Sequence, residues 1–227
     1  MSLDRLFVMW RRPSDGTRRI VGELWREAEG YAFAYYAQLP VGEGFTLMPE
    51  FPEHRVAPAA YRAASLFPTF AQRVPSPMRV DLVELARAWG VERLDDPLEI
   101  LARSGGIQAT DRLELAEHRS DEDTLERPLE MRIAGATHYD QGVLGPGDLL
   151  ELKREPENIH DPLATLFVFR GDQKVGYVPR QYAAMIAHLL DAGVGLCASA
   201  VRRLSLPSDG GRWVARVSRS PSSFRSP

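Results

Sequence analysis

The chain has 227 residues, a formal net charge of −3 and one cysteine, Cys197. This length suits one large domain or two small ones, and 44% hydrophobic residues are enough to build a buried core. The charge argues against a protein that holds nucleic acid mainly by bulk positive charge, and a single cysteine excludes an internal disulfide framework. We therefore expect a reducing compartment, the cytoplasm. The apolar runs are too short to span a bilayer, so no membrane partner is expected.

The first half predicts strands followed by helices. Strand-like runs occur at 6–10, 20–25, 31–36 and 45–48. Apolar residues spaced at 82, 85, 86 and 89 then predict an amphipathic helix. Asp96, followed by Pro97 and by Glu99, predicts the start of a second helix, which ends at Gly105. Residues 1–116 thus read as a small α+β module.

Three stretches of this half carry a family resemblance. They are Val21-Gly22-Glu23-Leu24 in the opening hairpin, residues 61–70, and residues 101–106, which end in Gly105-Gly106. Together they resemble the N-terminal subdomain of HipA-like toxin kinases. Residues 107–110 depart from that family, and the kinase core that would follow is missing. The resemblance implies an interaction module and not a kinase.

The resemblance also implies an unknown protein partner for residues 1–116. We expect that partner to dock through an apolar and aromatic surface formed by Trp10, Trp25, Tyr35 and Tyr36. After this module, residues 117–130 are polar and charged, which predicts a linker or a solvated excursion. Residues 218–227 are rich in Ser, Arg and Pro and are expected to form a disordered tail.

The second half, residues 131–217, predicts many short strands and one or two helices. Strands are expected at 131–135, 149–153, 165–169, 174–178, 196–201 and 212–217. A helix is expected at 181–192, closed by Gly193. This pattern favours a small closed or partly closed barrel and gives the whole chain an α+β fold class. Cys197 falls in an apolar strand and is expected in the core.

Four blocks of this half occur in order with a characteristic spacing. They are residues 152–158, Asp161-Pro162 with Ala164, residues 175–179 (Val-Gly-Tyr-Val-Pro), and residues 189–193 after the predicted helix. Over about residues 131–204 the sequence resembles the HIRAN domain, with residues 135–139 fitting the first strand and loop. The resemblance implies an OB-like barrel. Such domains occur alone in bacteria or fused to helicase-type repair ATPases, and in the fused case they resemble readers of single-stranded DNA 3′ ends.

The resemblance assigns roles to individual residues. Asp161 stands where the family has an acidic residue that accepts a hydrogen bond from the terminal 3′-hydroxyl. His138 and Tyr139 match an aromatic pair on which a base stacks. His160 occupies a position that is often tyrosine, and Thr137 replaces a basic residue. The candidate nucleic-acid-binding residues are His138, Tyr139, Arg154, Asn158, His160, Asp161 and Tyr177.

Each assignment has a structural alternative that the sequence leaves open. Asp161 before Pro162 also suits a turn cap, and Tyr139 and Tyr177 also suit half-buried positions in a sheet. Arg154 suits a phosphate contact but also an ion pair with Glu155, Glu157 or Asp161.

The sequence does not suggest an enzyme. It has no nucleophile elbow, phosphate-binding loop or zinc-protease motif, its histidines lack metal-ligand spacing, and no cofactor or metal is expected. The first hypothesis is a non-catalytic reader of single-stranded DNA ends in DNA repair or in a mobile-element or stress response. In it, a basic track extends the site through Arg202, Arg203, Arg212 and Arg216. The alternative is a protein adaptor or regulatory module derived from a HipA-type toxin system.

Overall fold

The computed structural model describes residues 3–120, 122–135, 138–204 and 212–220. The chain divides into two compact units, Met1–His118 and Arg119–Pro227. Both consist mostly of strands with a few helices, which is an α+β composition. The division falls inside the segment 117–130.

The N-terminal unit is built on one antiparallel sheet of five strands in the order β4-β3-β2-β1-β5. The strands are β1 (Arg5–Arg11), β2 (Arg18–Glu27), β3 (Gly30–Tyr35), β4 (Tyr61–Ala63) and β5 (Leu113–Glu117), and the helices are α1 (Pro68–Ala71), α2 (Leu82–Trp89) and α3 (Pro97–Ser104). The first three strands and the two longer helices lie where the sequence predicts them. Helix α3 begins as expected, because the Asp96 carboxylate accepts hydrogen bonds from the backbone N–H groups of Leu98 and Glu99.

The prediction of a strand at 45–48 is wrong. Phe45 and Met48 are buried there, but the segment is irregular and follows a short 3-10 turn at Val41–Glu43. The backbone N–H of Met48 donates to the Tyr35 hydroxyl at 2.8 Å instead of to a neighbouring strand. A side chain thus supplies the hydrogen bond that a sheet would otherwise provide.

The aromatic docking surface expected on this unit is also wrong. Trp10 and Tyr35 are only 7% and 2% exposed and belong to the hydrophobic core. Trp25 packs against small alanines on the other face of the sheet, and the hydroxyl of Tyr36 donates to Glu23. Burying the apolar surface of Trp10 and Tyr35 in the core stabilises the unit more than exposing it to water would.

The segment expected to be a solvated linker is partly ordered and buried. Glu117 ends β5 and is buried, and so are Arg119 and Leu125. The guanidinium of Arg119 donates to Asp123 at 3.0 Å and to the carbonyl oxygen of Pro128 at 3.3 Å, which gives the following turn a defined shape.

The C-terminal unit has a second antiparallel sheet, with six strands in the order β6-β11-β10-β7-β8-β9. The strands are β6 (Leu129–Arg132), β7 (Leu149–Arg154), β8 (Thr165–Phe169), β9 (Gln173–Tyr177), β10 (Leu196–Arg203) and β11 (Trp213–Arg219), and one helix is present in the described part of this unit, α4 (Arg180–Asp191). Helix α4 buries an apolar face that includes Tyr182, Met185 and Ile186.

The six-stranded sheet curls until its two ends meet. Ala134, just beyond β6, pairs with Tyr177 of β9 through two backbone hydrogen bonds of 2.9 Å each. Gly176 makes this close approach possible: its φ is +141°, and a Cβ atom there would clash with the carbonyl oxygen of Ala134. The curled sheet agrees with the small barrel predicted from the sequence, while its assignment as OB-like stays a prediction.

Two expectations at the C-terminal end need correction. Ser218 and Arg219 belong to β11 and not to a disordered tail, and the backbone N–H of Ser220 donates to the carbonyl oxygen of Gly195 at 2.9 Å. The rest of the expected tail, residues 221–227, lies outside the described part of the chain. Cys197 is exposed, and its Sγ lies 3.1 Å from the Oγ of Ser218 on the neighbouring strand. None of the helices in the described ranges is long and apolar enough to cross a membrane.

The closure of the barrel predicts the effect of a single added methyl group. We expect Gly176→Ala to lower the free energy of unfolding of the C-terminal unit by roughly 2 kcal/mol or more, because the strained φ and the clash with Ala134 add together. Gly171→Ala is the control: its φ is +87° but nothing lies within 4 Å of an added Cβ atom, so it costs about 1 kcal/mol. Urea unfolding followed by circular dichroism measures both. Equal losses for the two variants would contradict the role of Gly176 in closure.

Candidate nucleic-acid interface

The loop between β7 and β8 is shaped by its own hydrogen bonds. The Oδ1 atom of Asn158 accepts from the backbone N–H groups of His160 and Asp161, at 3.0 and 3.3 Å. The backbone N–H of Ala164 donates to the carbonyl oxygen of Asp161 at 3.0 Å. A short amide side chain thus braces the turn, as Asn commonly does, and the loop presents its side chains in fixed directions.

Arg154 fastens this loop to helix α4. Its Nε and Nη2 atoms donate to the Asp191 carboxylate at 3.0 and 3.2 Å, and its Nη1 and Nη2 atoms donate to the carbonyl oxygens of Ala164 and Pro162 at 2.7 and 3.2 Å. The partner of Arg154 is therefore none of the loop carboxylates that the sequence suggested. With its donors engaged and its side chain 17% exposed, Arg154 positions the loop and is not open to a phosphate.

Glu155 connects the loop to the strand that closes the barrel. Its Oε2 atom accepts from the Tyr177 hydroxyl at 2.9 Å and from the Asn158 amide at 3.0 Å, and its Oε1 atom accepts from Lys174 Nζ at 3.0 Å. The Tyr139 hydroxyl donates to the Tyr177 hydroxyl at 3.3 Å, and the two rings meet edge to face with centroids 5.7 Å apart. One chain of hydrogen bonds thus links both tyrosines to the loop.

These contacts shift two pKa values. Burial raises the pKa of the Glu155 carboxyl, but the hydrogen bonds from Lys174 and the two other donors outweigh burial, so the pKa lies below its usual value. Burial, with the neighbouring Tyr139 hydroxyl and the Glu155 carboxylate, raises the pKa of the Tyr177 phenol. At neutral pH the pair therefore combines an ionised carboxylate with a protonated phenol that donates to it.

Asp161 has the turn-capping role that the sequence offered, and its second carboxylate oxygen leaves the ligand role open. Its Oδ1 atom accepts a hydrogen bond from the backbone N–H of Leu163 at 2.9 Å, which is the turn-capping role. No residue in the described part of the chain donates a hydrogen bond to its Oδ2 atom. The side chain is half-buried, so one oxygen fixes the direction of the carboxylate and the other is available to a ligand.

Both candidate histidines are exposed. The backbone N–H of His138 donates to the carbonyl oxygen of Gly135 at 2.8 Å, and the backbone N–H of His160 donates to Asn158. Ile159, between Asn158 and His160, is 91% exposed at the tip of the loop. Thr137, the position where a basic residue is replaced, lies outside the described residues.

The basic track expected on β10 and β11 is partly paired within the protein and stays a prediction. Arg202 and Arg216 both pair with the carboxylate of Glu130, at 2.7 and 2.6 Å. Arg203 and Arg212 also have interaction partners. One carboxylate on strand β6 thus offsets part of the positive charge of this pair of arginines, which counting charges along the sequence does not reveal.

Three residues of the site were not among the sequence candidates. Glu155 and Lys174 form the ion pair at the centre of the network, and Asp191 holds Arg154. Glu155 and Asp191 both lie in the blocks that resemble a known family, which is the signal that could have identified them. No cluster of three metal-ligating side chains occurs in the described residues.

The curled sheet and its braced loop define a small β-barrel binding module. Residues 129–207 match the family model of the HIRAN domain. The C-terminal unit thus contains a HIRAN domain, which indicates a nucleic-acid-binding module. No curated protein matches the sequence.

Two solved structures are similar to part of the chain. The crystal structure of the HIRAN domain of human HLTF is 16% identical, with 41% of this chain and 77% of that chain covered and a TM-score of 0.33. The crystal structure of a protein from Lactobacillus plantarum is 20% identical, with 41% of this chain and 100% of that chain covered and a TM-score of 0.31.

The lowered pKa of Glu155 predicts a pH-dependent contribution to stability. The folded state binds fewer protons than the unfolded state between the lowered pKa and the ordinary value of 4.5, so the contribution is complete above pH 4.5 and is lost as the pH falls through the folded value. We expect Glu155→Gln to lower the free energy of unfolding by about 1 kcal/mol at pH 7 and by progressively less under acid conditions. Glu157→Gln, on an exposed carboxylate of the same loop, is the control. A difference from wild type that does not change with pH would argue against the ionised network.

The Arg154–Asp191 pair predicts local and not global destabilisation. Asp191→Ala removes both carboxylate contacts from one side of the loop, so the loop is expected to open more often while the sheet stays folded. Hydrogen exchange at the backbone amides of His160 and Ala164 should become several-fold faster. Asp172→Ala, on an exposed carboxylate of the β8–β9 turn, should leave these rates unchanged. Unchanged exchange rates in Asp191→Ala would contradict the role of the Arg154–Asp191 pair in holding the loop.

Proposed function

We propose that the C-terminal unit binds the 3′ end of a single DNA strand at the loop 155–164 and the neighbouring Tyr139–Tyr177 pair. The observation that carries the proposal is the carboxylate of Asp161. One of its oxygens is held by Leu163, and the other has no donor among the described residues. A carboxylate fixed in this way accepts a hydrogen bond from a hydroxyl and repels a phosphate.

The HIRAN match supports this choice of ligand, and the geometry supports its position. The exposed ring of His160 is next to Asp161 on a braced loop, and Tyr139 is connected to that loop through Tyr177. Stacking a base on such a ring contributes roughly 1–3 kcal/mol and tolerates any sequence. In the proposed mode, the last base stacks on Tyr139 or His160 while its 3′-hydroxyl donates to Asp161.

The charges around the site define how the strand would be held. Arg154 is paired with Asp191, Lys174 with Glu155, and Arg202 and Arg216 share the carboxylate of Glu130. Arg180, exposed at the start of α4, makes no ion pair with a described residue. We therefore propose binding that depends mainly on stacking and end recognition, with a shallow dependence on salt.

The wider role remains part of the proposal. A domain that recognises free strand ends suits a non-enzymatic, cytoplasmic protein of DNA repair or of a mobile-element or stress response. An adaptor function is the second candidate, because Met78, Val80 and Val83 of the N-terminal unit are 87%, 103% and 59% exposed. The resemblance of about residues 5–115 to a HipA subdomain stays a prediction that fits this second role.

End recognition is testable by fluorescence anisotropy with strands that differ only in the terminal group. We expect wild type to bind a strand ending in a 3′-hydroxyl at least tenfold more tightly than the same strand with a 3′-phosphate. Asp161→Asn should reduce that preference to a few-fold, because the amide oxygen still accepts from Leu163 but no longer repels phosphate. Tyr139→Ala should weaken binding to both strands by about 5- to 100-fold, since a stacking surface is lost.

Asp172→Asn is the matched control and should behave as wild type. Equal affinity for the two ends in wild type would contradict end recognition while leaving DNA binding intact. Failure to bind either strand at low salt would reject the nucleic-acid function and favour the adaptor.

A further inference from the structure

A cleft of about 700 Å³ opens on the N-terminal unit, a volume in the usual range of small-molecule sites. It lies where β1 and β5 meet the irregular segment 45–50 and the start of α1. Its apolar walls are formed by Trp10, Phe45, Leu47, Met48 and Leu113. This cleft shares no residue with the proposed nucleic-acid site, so a ligand could bind here whether or not that site binds DNA.

The walls of the cleft are held in place by the core of the unit. Trp10, Phe45 and Leu113 are only 7%, 3% and 8% exposed, so each presents a single edge to the cleft. The rings of Trp10 and Phe45 meet edge to face with centroids 5.7 Å apart. The backbone of Met48 is fixed by the Tyr35 hydroxyl. The apolar surface is therefore largely preformed and does not need to reorganise to accept a ligand.

The carboxylates that line the cleft are already engaged. The buried guanidinium of Arg73 pairs with Asp111 and also donates to the carbonyl oxygens of Thr69 and Gly106. Glu50 accepts a hydrogen bond from the backbone N–H of Thr69 at 2.7 Å. Arg73 thus neutralises Asp111, whereas Glu50 is held through one of its two carboxylate oxygens.

The cleft also presents two donors to a ligand. Arg112 is exposed at the cleft and makes no ion pair with any residue that the structure describes. The indole N–H of Trp10 likewise has no acceptor in the described part of the chain. An unpaired cation and a free N–H beside an apolar wall complement a ligand that has an anionic group on an apolar body.

We propose that this cleft binds a small organic acid in which a carboxylate is joined to an apolar body. The apolar part packs against Trp10, Phe45 and Leu47, and the carboxylate pairs with Arg112. The N-terminal unit would then be a ligand-binding module in its own right.

The proposal is tested on the full-length chain with 4-phenylbutanoate as the probe. Its uncharged amide and its amine analogue, 4-phenylbutylamine, have the same apolar body. Titrations are followed by NMR at the indole N–H signal of Trp10. We expect the carboxylate to bind about tenfold more tightly than the amide, a difference of ~1.4 kcal/mol, and the amine to bind most weakly.

Two variants separate charge from apolar contact. Arg112→Gln should remove the advantage of the carboxylate over the amide, while Arg87→Gln, an exposed arginine on α2 with no ion pair among the described residues, should keep it. Leu47→Asn should weaken all three probes, because it places an uncharged polar group in the apolar wall. Equal binding of carboxylate and amide to wild type, or an amine that binds as well as the carboxylate, would overturn the proposal. So would a Trp10 signal that no probe shifts, or a Leu47→Asn variant that binds as wild type does.

Discussion

The carboxylate of Glu155 is the contact on which the C-terminal site depends. Glu155 is the first residue after β7, yet its carboxylate accepts hydrogen bonds from Tyr177 and Lys174 on β9 and from Asn158 inside the loop. The same strand β9 closes the curled sheet on the segment after β6, because Gly176 lets two backbones approach. Closure of the sheet and shape of the loop are therefore coupled, and a loop coupled to a sheet can hold its side chains in a fixed arrangement without a metal or a disulfide.

Charge is distributed so that the basic residues act mainly on the protein itself. Arg154 holds the loop against α4, and Glu130 draws Arg202 and Arg216 together across three neighbouring strands. Such pairs reduce the positive charge that would attract a phosphate backbone at long range. What remains open is local: a carboxylate oxygen of Asp161, exposed imidazoles and the edges of two tyrosines. This chemistry suits recognition of a chain terminus better than it suits grip on a long strand.

The sequence predicted most of the secondary structure because each element has a local signal. Each signal lies within a few residues of the element that it determines. Examples are the capping residues of α3, the apolar stripe of α4 and the turn at Gly171. The errors came from contacts between distant residues. The Met48 N–H bonds to Tyr35, Arg154 bonds to Asp191, and Glu130 meets Arg216; no spacing rule relates these positions. The predicted solvent exposure of Trp10 and Tyr35 was wrong for the same reason, since residues elsewhere in the chain bury both side chains.

The most direct test of the central claim is a map of where a strand end contacts the protein. NMR chemical-shift changes on addition of a short single strand with a free 3′-hydroxyl would provide it. We expect the largest changes on the backbone amides of Asn158, His160 and Asp161 and on the signals of Tyr139, with the sheet otherwise unaffected. Changes confined to the N-terminal unit, or to the β10–β11 face while the loop stays silent, would contradict end recognition at this loop.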